Sequence, residues 1–256
     1  MYRTDSELGT GLRSRMRDPA GIAQRWSDAE MLDAVNVGIA ELHNRVGFYV
    51  EAPMTTDADD LYAPPTYLSD QILIYVDGQL VVTSTYPGDD AIDDAIMHGW
   101  VYNQRIPADS YTLLTALGAD DTSMDVQSSG SEMPPQVGHF TVGLEVVRYN
   151  GVAATAASQY TLSNLQRNMN GGGSNAALID TPIYMTIFMD DTRIYDVLIN
   201  KASAYLHQLY TTDASPTQIQ DHQWTMRWNE QQVTNFWRSY VPKKQYVRRP
   251  MRKAYS

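Results

Sequence analysis

At 256 residues and 43% apolar content, the chain can build one large core or two small ones. A formal charge of −11 weighs against a nucleic-acid-binding body, and the lack of cysteine excludes disulfides and thiolate sites, as suits a reducing cytoplasm or a particle that must survive outside a cell. No apolar run approaches the ~20 residues that span a bilayer, and Met1 to Met16 is polar and mixed in charge, so neither a membrane nor a signal peptide is expected.

In chain order, Asp5 or Ser6 caps a first short helix whose Leu8, Leu12 and Met16 lie one turn apart. Gly9 and Gly11 weaken it by about 1 kcal/mol each, and Pro19 ends it. A second helix starts more sharply, at Arg25-Trp26-Ser27-Asp28-Ala29-Glu30-Met31-Leu32. Ser27 and Glu30 have capping-box spacing, Trp26 is placed to pack on Met31, and Leu32, Val35, Ile39, Leu42 and Val46 form one narrow stripe up to Gly47. The pattern predicts a helix over 28–46 that packs in a bundle.

Pro53, Pro64, Pro65 and an acidic cluster mark 51–67 as loop. Apolar runs at 71–76 and 79–85 flank Asp77-Gly78, the pair that favours a tight hairpin turn. A short helix is expected at 90–97 and a strand at 111–116. Asp, Ser, Gly and Pro dominate 120–136, which reads as an exposed loop. Runs at 139–149 and 152–162 flank Asn150-Gly151 and predict a second hairpin, 168–175 with its three consecutive glycines reads as flexible, and 182–189 as one more strand. Asp190, Asp191 or Thr192 caps a helix with Tyr195, Leu198, Ala202, Tyr205 and Leu209 at three-four spacing. Ser215-Pro216-Thr217-Gln218 starts the last helix, which carries Ile219, Met226, Val233, Trp237 and Tyr240 to Pro242.

The expected fold class is α+β: a helical bundle formed by N-terminal (1–50) and C-terminal (190–240) helices, with a β-rich insertion of hairpins (51–189) and an extended C-terminal tail (241–256). The tail inverts the charge. Lys243, Lys244, Arg248, Arg249, Arg252 and Lys253 stand without an acid, which leaves residues 1–240 with thirteen bases against thirty acids. Tyr246, Val247, Met251 and Tyr255 interleave with those bases, and Pro242 and Pro250 favour an extended course, so the tail has the character of a strap that docks on a partner.

Candidate chemistry is sparse. The five histidines, His43, His98, His139, His207 and His222, show no zinc spacing and no close pair, and a metal site would have to be assembled by folding. The acidic groups at 57–60, 89–94 and 120–125 lack the glycine and terminal glutamate of a calcium loop and read as solvated loops and helix starts. Gly171 to Gly173 has no following lysine with serine or threonine, and Ser128-Ser129-Gly130-Ser131 has no supporting framework for a nucleophile. Trp224, Trp228 and Trp237 read as core or subunit interface rather than base-stacking groups. Neither a cofactor nor a metal is expected, and the chain reads as a non-enzyme.

Arg25, Trp26, Ser27, Asp28, Glu30, Leu32 and Asn36 resemble the opening of tailed-phage head-to-tail adaptor (connector, or head-completion) proteins, and the helix pair at 194–210 and 216–240 is similar in layout to the close of that family. The β-rich middle is larger than in the small helical members. The resemblance implies a structural virion protein, assembled in the host cytoplasm, that forms a homo-oligomeric ring of twelve beneath the portal, joins the capsid vertex to the tail, and lets DNA pass. It also implies that the C-terminal segment contacts the portal protein, with Lys243, Lys244, Arg248, Arg249, Arg252 and Lys253 meeting acidic surface and Tyr246, Met251 and Tyr255 as anchors. The hairpins would either pair between neighbouring subunits or form the surface on which a downstream tail or nozzle protein sits, and an acidic channel wall would keep packaged DNA from sticking. Other readings are a different virion component (tail, baseplate or capsid-associated) and a metal-dependent hydrolase built on the aspartate clusters.

Overall fold

The computed structural model describes residues 1–18, 21, 24–43, 45–53, 69–76, 79–81, 95–210 and 215–240. The chain divides into two compact units, one of Met1–Val46 with Asn103–Pro242, the other containing Gly47–Tyr102. It is a mixed α+β protein, and the strands between 51 and 189 are distributed over both units.

In the larger unit, strand β1 (Tyr2–Thr4) runs directly into helix α1 (Asp5–Met16). The cap is Thr4, one residue earlier than the sequence suggests: Glu7 N–H donates to Thr4 Oγ1 at 3.1 Å and Thr4 N–H to Glu7 Oε2 at 2.9 Å. Leu8 and Leu12 are buried as expected. Helix α2 (Asp28–Leu42) begins on the anticipated Ser27–Glu30 box, with Ser27 N–H to Glu30 Oε2 at 2.8 Å and Glu30 N–H to Ser27 Oγ at 3.2 Å. It ends at Leu42, a turn short of the expected Val46, and Val46 is buried just beyond it.

The smaller unit begins with strand β2 (Gly47–Pro53), followed by β3 (Ser69–Val76), β4 (Gln79–Val81) and β5 (Ala95–Tyr102), in the antiparallel order β2-β5-β3-β4. The first hairpin holds, since β3 and β4 pair with Val76 opposite Gln79. Its Asp77-Gly78 turn lies outside the described residues, as does 54–68. Two expectations fail: Glu51 to Pro53 belong to β2 rather than to a loop, and Ala95 to Met97, expected as the end of a helix, belong to β5. Val50 and Val101 are buried, as a strand that packs one face requires, while 90–94 lies outside the described residues.

The larger unit continues with β6 (Tyr111–Leu113), β7 (Ser123–Ser128), β8 (Gly138–Val142), β9 (Glu145–Tyr149), β10 (Val152–Ala156), β11 (Gln159–Ser163) and β12 (Pro182–Phe188). They form one antiparallel sheet in the order β10-β11-β7-β6-β12-β8-β9, with β1 also on β12. Residues 120–136 are therefore not a plain loop. Met124, Val126 and Ser128 of β7 point inward and are buried, a two-residue alternation masked by the polar residues between them.

The second predicted hairpin is also corrected. Asn150-Gly151 does not reverse the chain; Val152 pairs with Leu162, Gly151 O accepts from Ser163 N–H, and Arg148 and Gln166 exchange both backbone hydrogen bonds. All three pairings keep one register, so β9 and β10 are two halves of a single bent strand that runs antiparallel to 160–166. The reversals lie at Gly143-Leu144 and Ala157-Ser158, inside the two runs that read as unbroken strands. Because β9 ends the sheet on one side and β10 on the other, this shared register curls the sheet until it closes on itself. Phe140, Val147, Tyr149, Leu162, Met185 and Ile187 fill it.

Helix α3 (Arg193–Leu209) is buried on most of its surface by Ile194, Val197, Leu198, Ile199, Ala202 and Leu206. Helices α1 and α2 pack on it, as does α4 (Pro216–Ser239). Small residues permit the contact: a methyl group at Gly38 would stand 2.7 Å from Leu198 O, and one at Gly11, read from sequence only as a weakness, would overlap the Tyr195 hydroxyl. The Ser215–Gln218 box and Pro216 start α4 as expected. Asn229, buried on α4, donates to Ser203 Oγ of α3 at 3.0 Å.

Candidate assembly surfaces

The segment at the start of α2 is built as a clasp. Asp18, buried after α1, accepts from Arg25 N–H at 2.6 Å, from Trp26 N–H at 3.1 Å and from Arg13 Nη1 at 2.9 Å. Arg13 Nη2 then donates to Trp26 O at 3.2 Å and to Asp28 Oδ1 at 2.5 Å. One carboxylate and one guanidinium thus satisfy the backbone of a turn that would otherwise bury unpaired polar groups. Trp26 is buried and meets Tyr210 edge-on at 5.8 Å between centroids, and Arg25 lies 3.5 Å from the centroid of the same ring. The segment that opens α2 therefore meets the end of α3 at Tyr210.

Folding also makes a histidine pair that spacing does not reveal. His207 Nδ1 and His222 Nδ1 are 2.7 Å apart across the α3–α4 turn, and Tyr210 packs on His222 at 4.5 Å. Burial, the facing His222 and then Arg25 lower the His207 pKa to about 4, and burial and Arg25 lower that of His222. Such a pair shares one proton between two ring nitrogens and clamps the helix hairpin while it stays uncharged. Among the described residues no three His, Asp or Glu converge as metal ligands. Of the acidic clusters, Asp121 accepts from Gly118 N–H at 2.6 Å and Asp125 from Thr161 Oγ1 at 2.5 Å, both within turns or strands. The clusters at 57–60 and 89–94 lie outside the described residues.

The glycine-rich stretch is tightly organised. Glu145, buried in the closed sheet, accepts from Arg167 Nε and Nη2 at 2.8 and 2.7 Å and from the backbone N–H groups of Asn168 and Asn175 at 2.8 and 2.9 Å. Asn168 Oδ1 takes Gly173 N–H at 2.6 Å, and Asn170 Nδ2 donates to Leu144 O at 2.8 Å. Burial alone would raise the Glu145 pKa, but Arg167 and the converging N–H groups outweigh it and hold the carboxyl below its usual range. The expected flexible linker 168–175 is instead wrapped around one carboxylate.

Between α2, α3 and α4 lies an open groove of about 450 Å³, lined by Glu41, Arg45, Lys201, Glu230, Trp237 and Arg238 among others. Lys201 Nζ stands 4.0 Å from Glu41 and 3.8 Å from Glu230, and Arg45 lies over Trp237 at 4.6 Å, so its charges are largely matched within the protein. The three tryptophans of α4 divide: Trp237 packs on the core, whereas Trp224 and Trp228 face outward, opposite Asn229 and Val233. Every residue of the predicted portal-contacting tail, Lys243, Lys244, Tyr246, Arg248, Arg249, Met251, Arg252, Lys253 and Tyr255, lies outside the described residues.

No protein-family model matches this chain, and no curated protein or solved structure matches it either.

Proposed function

We propose that the chain is a non-enzymatic head-to-tail adaptor: a virion protein that forms a ring, twelve copies by analogy with the family it resembles, under the portal and couples the capsid vertex to the tail. One observation carries the reading. Arg25 and Trp26, which open the segment that resembles the family, close on Tyr210, at the end of the first helix of the C-terminal pair. That contact ties the segment before α2 to the end of α3, which supports reading the N- and C-terminal helices as one assembly surface. The basic segment 241–256 follows α4 in the sequence and supplies the portal contact. The acidic body suits a wall along which DNA slides without adhering.

The test is to mix the purified chain with candidate portal rings and image the product. Density for added subunits on one face of the portal is the expected result. Deletion of 241–256 should abolish that binding while leaving the circular dichroism spectrum and melting behaviour unchanged.

A further inference from the structure

We propose that the histidine pair is an acid-sensitive latch: protonation of His207 and His222 releases the first half of α4, 216–228, from α3, while the second half of the helix stays docked. The latch belongs to the fold and operates whether or not the chain serves a portal.

The two halves of α4 are held very differently. No residue from Pro216 to Trp228 is buried, and only Ile219, His222, Thr225 and Met226 are partly so. The buried residues of the helix, Asn229 and Val233, come after them. Asn229 Nδ2 donates to Ser203 Oγ of α3 at 3.0 Å, and Phe236 and Trp237 pack on the core. Tyr240, just past the helix, donates its hydroxyl to Asp190 Oδ2 at 2.6 Å. Burial therefore fastens 229–240, and the first half leans on the contact made at its second turn. Local openings are drawn from such sparsely buried segments.

That contact is His207 Nδ1 to His222 Nδ1 at 2.7 Å, with the Tyr210 ring 4.5 Å from that of His222. A hydrogen bond between two ring nitrogens needs one N–H and one lone pair, so charging both rings leaves two donors face to face. The surroundings sharpen the penalty. Arg25, from the segment before α2, lies 3.5 Å from the centroid of the Tyr210 ring and adds positive charge to the cluster. Asp221, next to His222 on α4, is the opposing charge, but it is exposed and solvent screens it. Asp213, in the connection between the helices, lies outside the described residues. Burial, the facing His222 and Arg25 take His207 to about 4, and burial and Arg25 lower His222 against the pull of Asp221. The closed latch thus resists protons that an opened turn accepts. With His207 at about 4 closed and at 6.5 open, acidification favours the open form by up to roughly 300-fold from this ring alone.

The test follows the full chain from pH 7.5 to 4 by NMR of the histidine rings and by hydrogen exchange with mass spectrometry, with labelling times scaled to the intrinsic exchange rate at each pH. Protection of 216–228 should fall at least about tenfold, with the midpoint at which the His207 and His222 rings titrate, while 193–206 and 229–239 keep theirs. A chain carrying His207→Gln and His222→Gln, whose side chains still hydrogen-bond but never charge, should hold 216–228 as well at pH 4 as at pH 7. Protection of 216–228 that is absent at pH 7, that survives to pH 4, or that is lost together with 229–239 would each overturn the proposal, as would an unchanged pH profile in the double variant. The wild-type profile decides alone if the double variant is open or unfolded at pH 7.

Discussion

Glu145 shows how one side chain can convert a sequence that reads as linker into ordered structure. Its carboxylate gathers Arg167 and two backbone N–H groups, and the pair is nearly dry, so removing either partner leaves the other buried without compensation. Glu145→Gln should cost about 3–5 kcal/mol in urea denaturation and should raise amide exchange across 168–175, whereas the exposed pair Arg3–Glu7 should matter little when it is broken. The two histidines that are held neutral give a pH signature. Burial, with Arg148 and the N-terminus, takes His139 to about 3, and burial with His222 and Arg25 takes His207 to about 4, against 6.5 when unfolded. The unfolded chain thus binds protons first on acidification. Their contribution is complete above pH 6.5 and is lost as pH falls, through about 4 for His207 and about 3 for His139. The denaturation midpoint should fall across that window, His207→Gln should flatten part of the fall, and the His207 ring resonances should titrate well below those of a free histidine. Neither the carboxylate nor the histidine pair was legible in the sequence, because each is assembled by partners 15 or more positions apart.

At the scale of elements, the close approach of α2 to α3 depends on Gly38, and Gly38→Ala should destabilise by about 1–3 kcal/mol by forcing a Cβ against Leu198 O. The same change at Gly9, where nothing stands near, should be neutral or stabilising, and chemical denaturation of the two variants separates packing from helix propensity. The helices were readable because their signals are local: Ser27 with Glu30, and Ser215 with Pro216 and Gln218, mark starts that the structure places where the spacing put them. The strands were readable as strands but not in their connections. Asn150-Gly151 has strong turn chemistry, yet the pairing of 148–154 with 160–166 keeps it extended as a bend, and the actual reversals use Gly143-Leu144 and Ala157-Ser158, which no residue pair announces. Strand β7 was hidden for a related reason. Its outward residues are polar enough to resemble loop, and only the alternation of Met124, Val126 and Ser128 betrays it.

For the whole molecule, Trp224 and Trp228 on α4 and Leu144, Leu178 and Ile179 at the apolar rim of the sheet are exposed on the larger unit, and the six bases of 241–256 stand against an otherwise acidic sequence. Outward tryptophans could have been found from sequence alone: with Val233 set as core, helical spacing puts Trp224 and Trp228 on the far side of α4. The rim could not, since Leu144 and the 178–179 pair come together only when the sheet closes. The central claim is that these features serve a ring seated on a portal. Electron microscopy of the full chain mixed with portal rings tests it most directly: the account predicts a second ring stacked coaxially on the portal that disappears when 241–256 is deleted, and portal rings left bare beside a folded, unbound chain would contradict it.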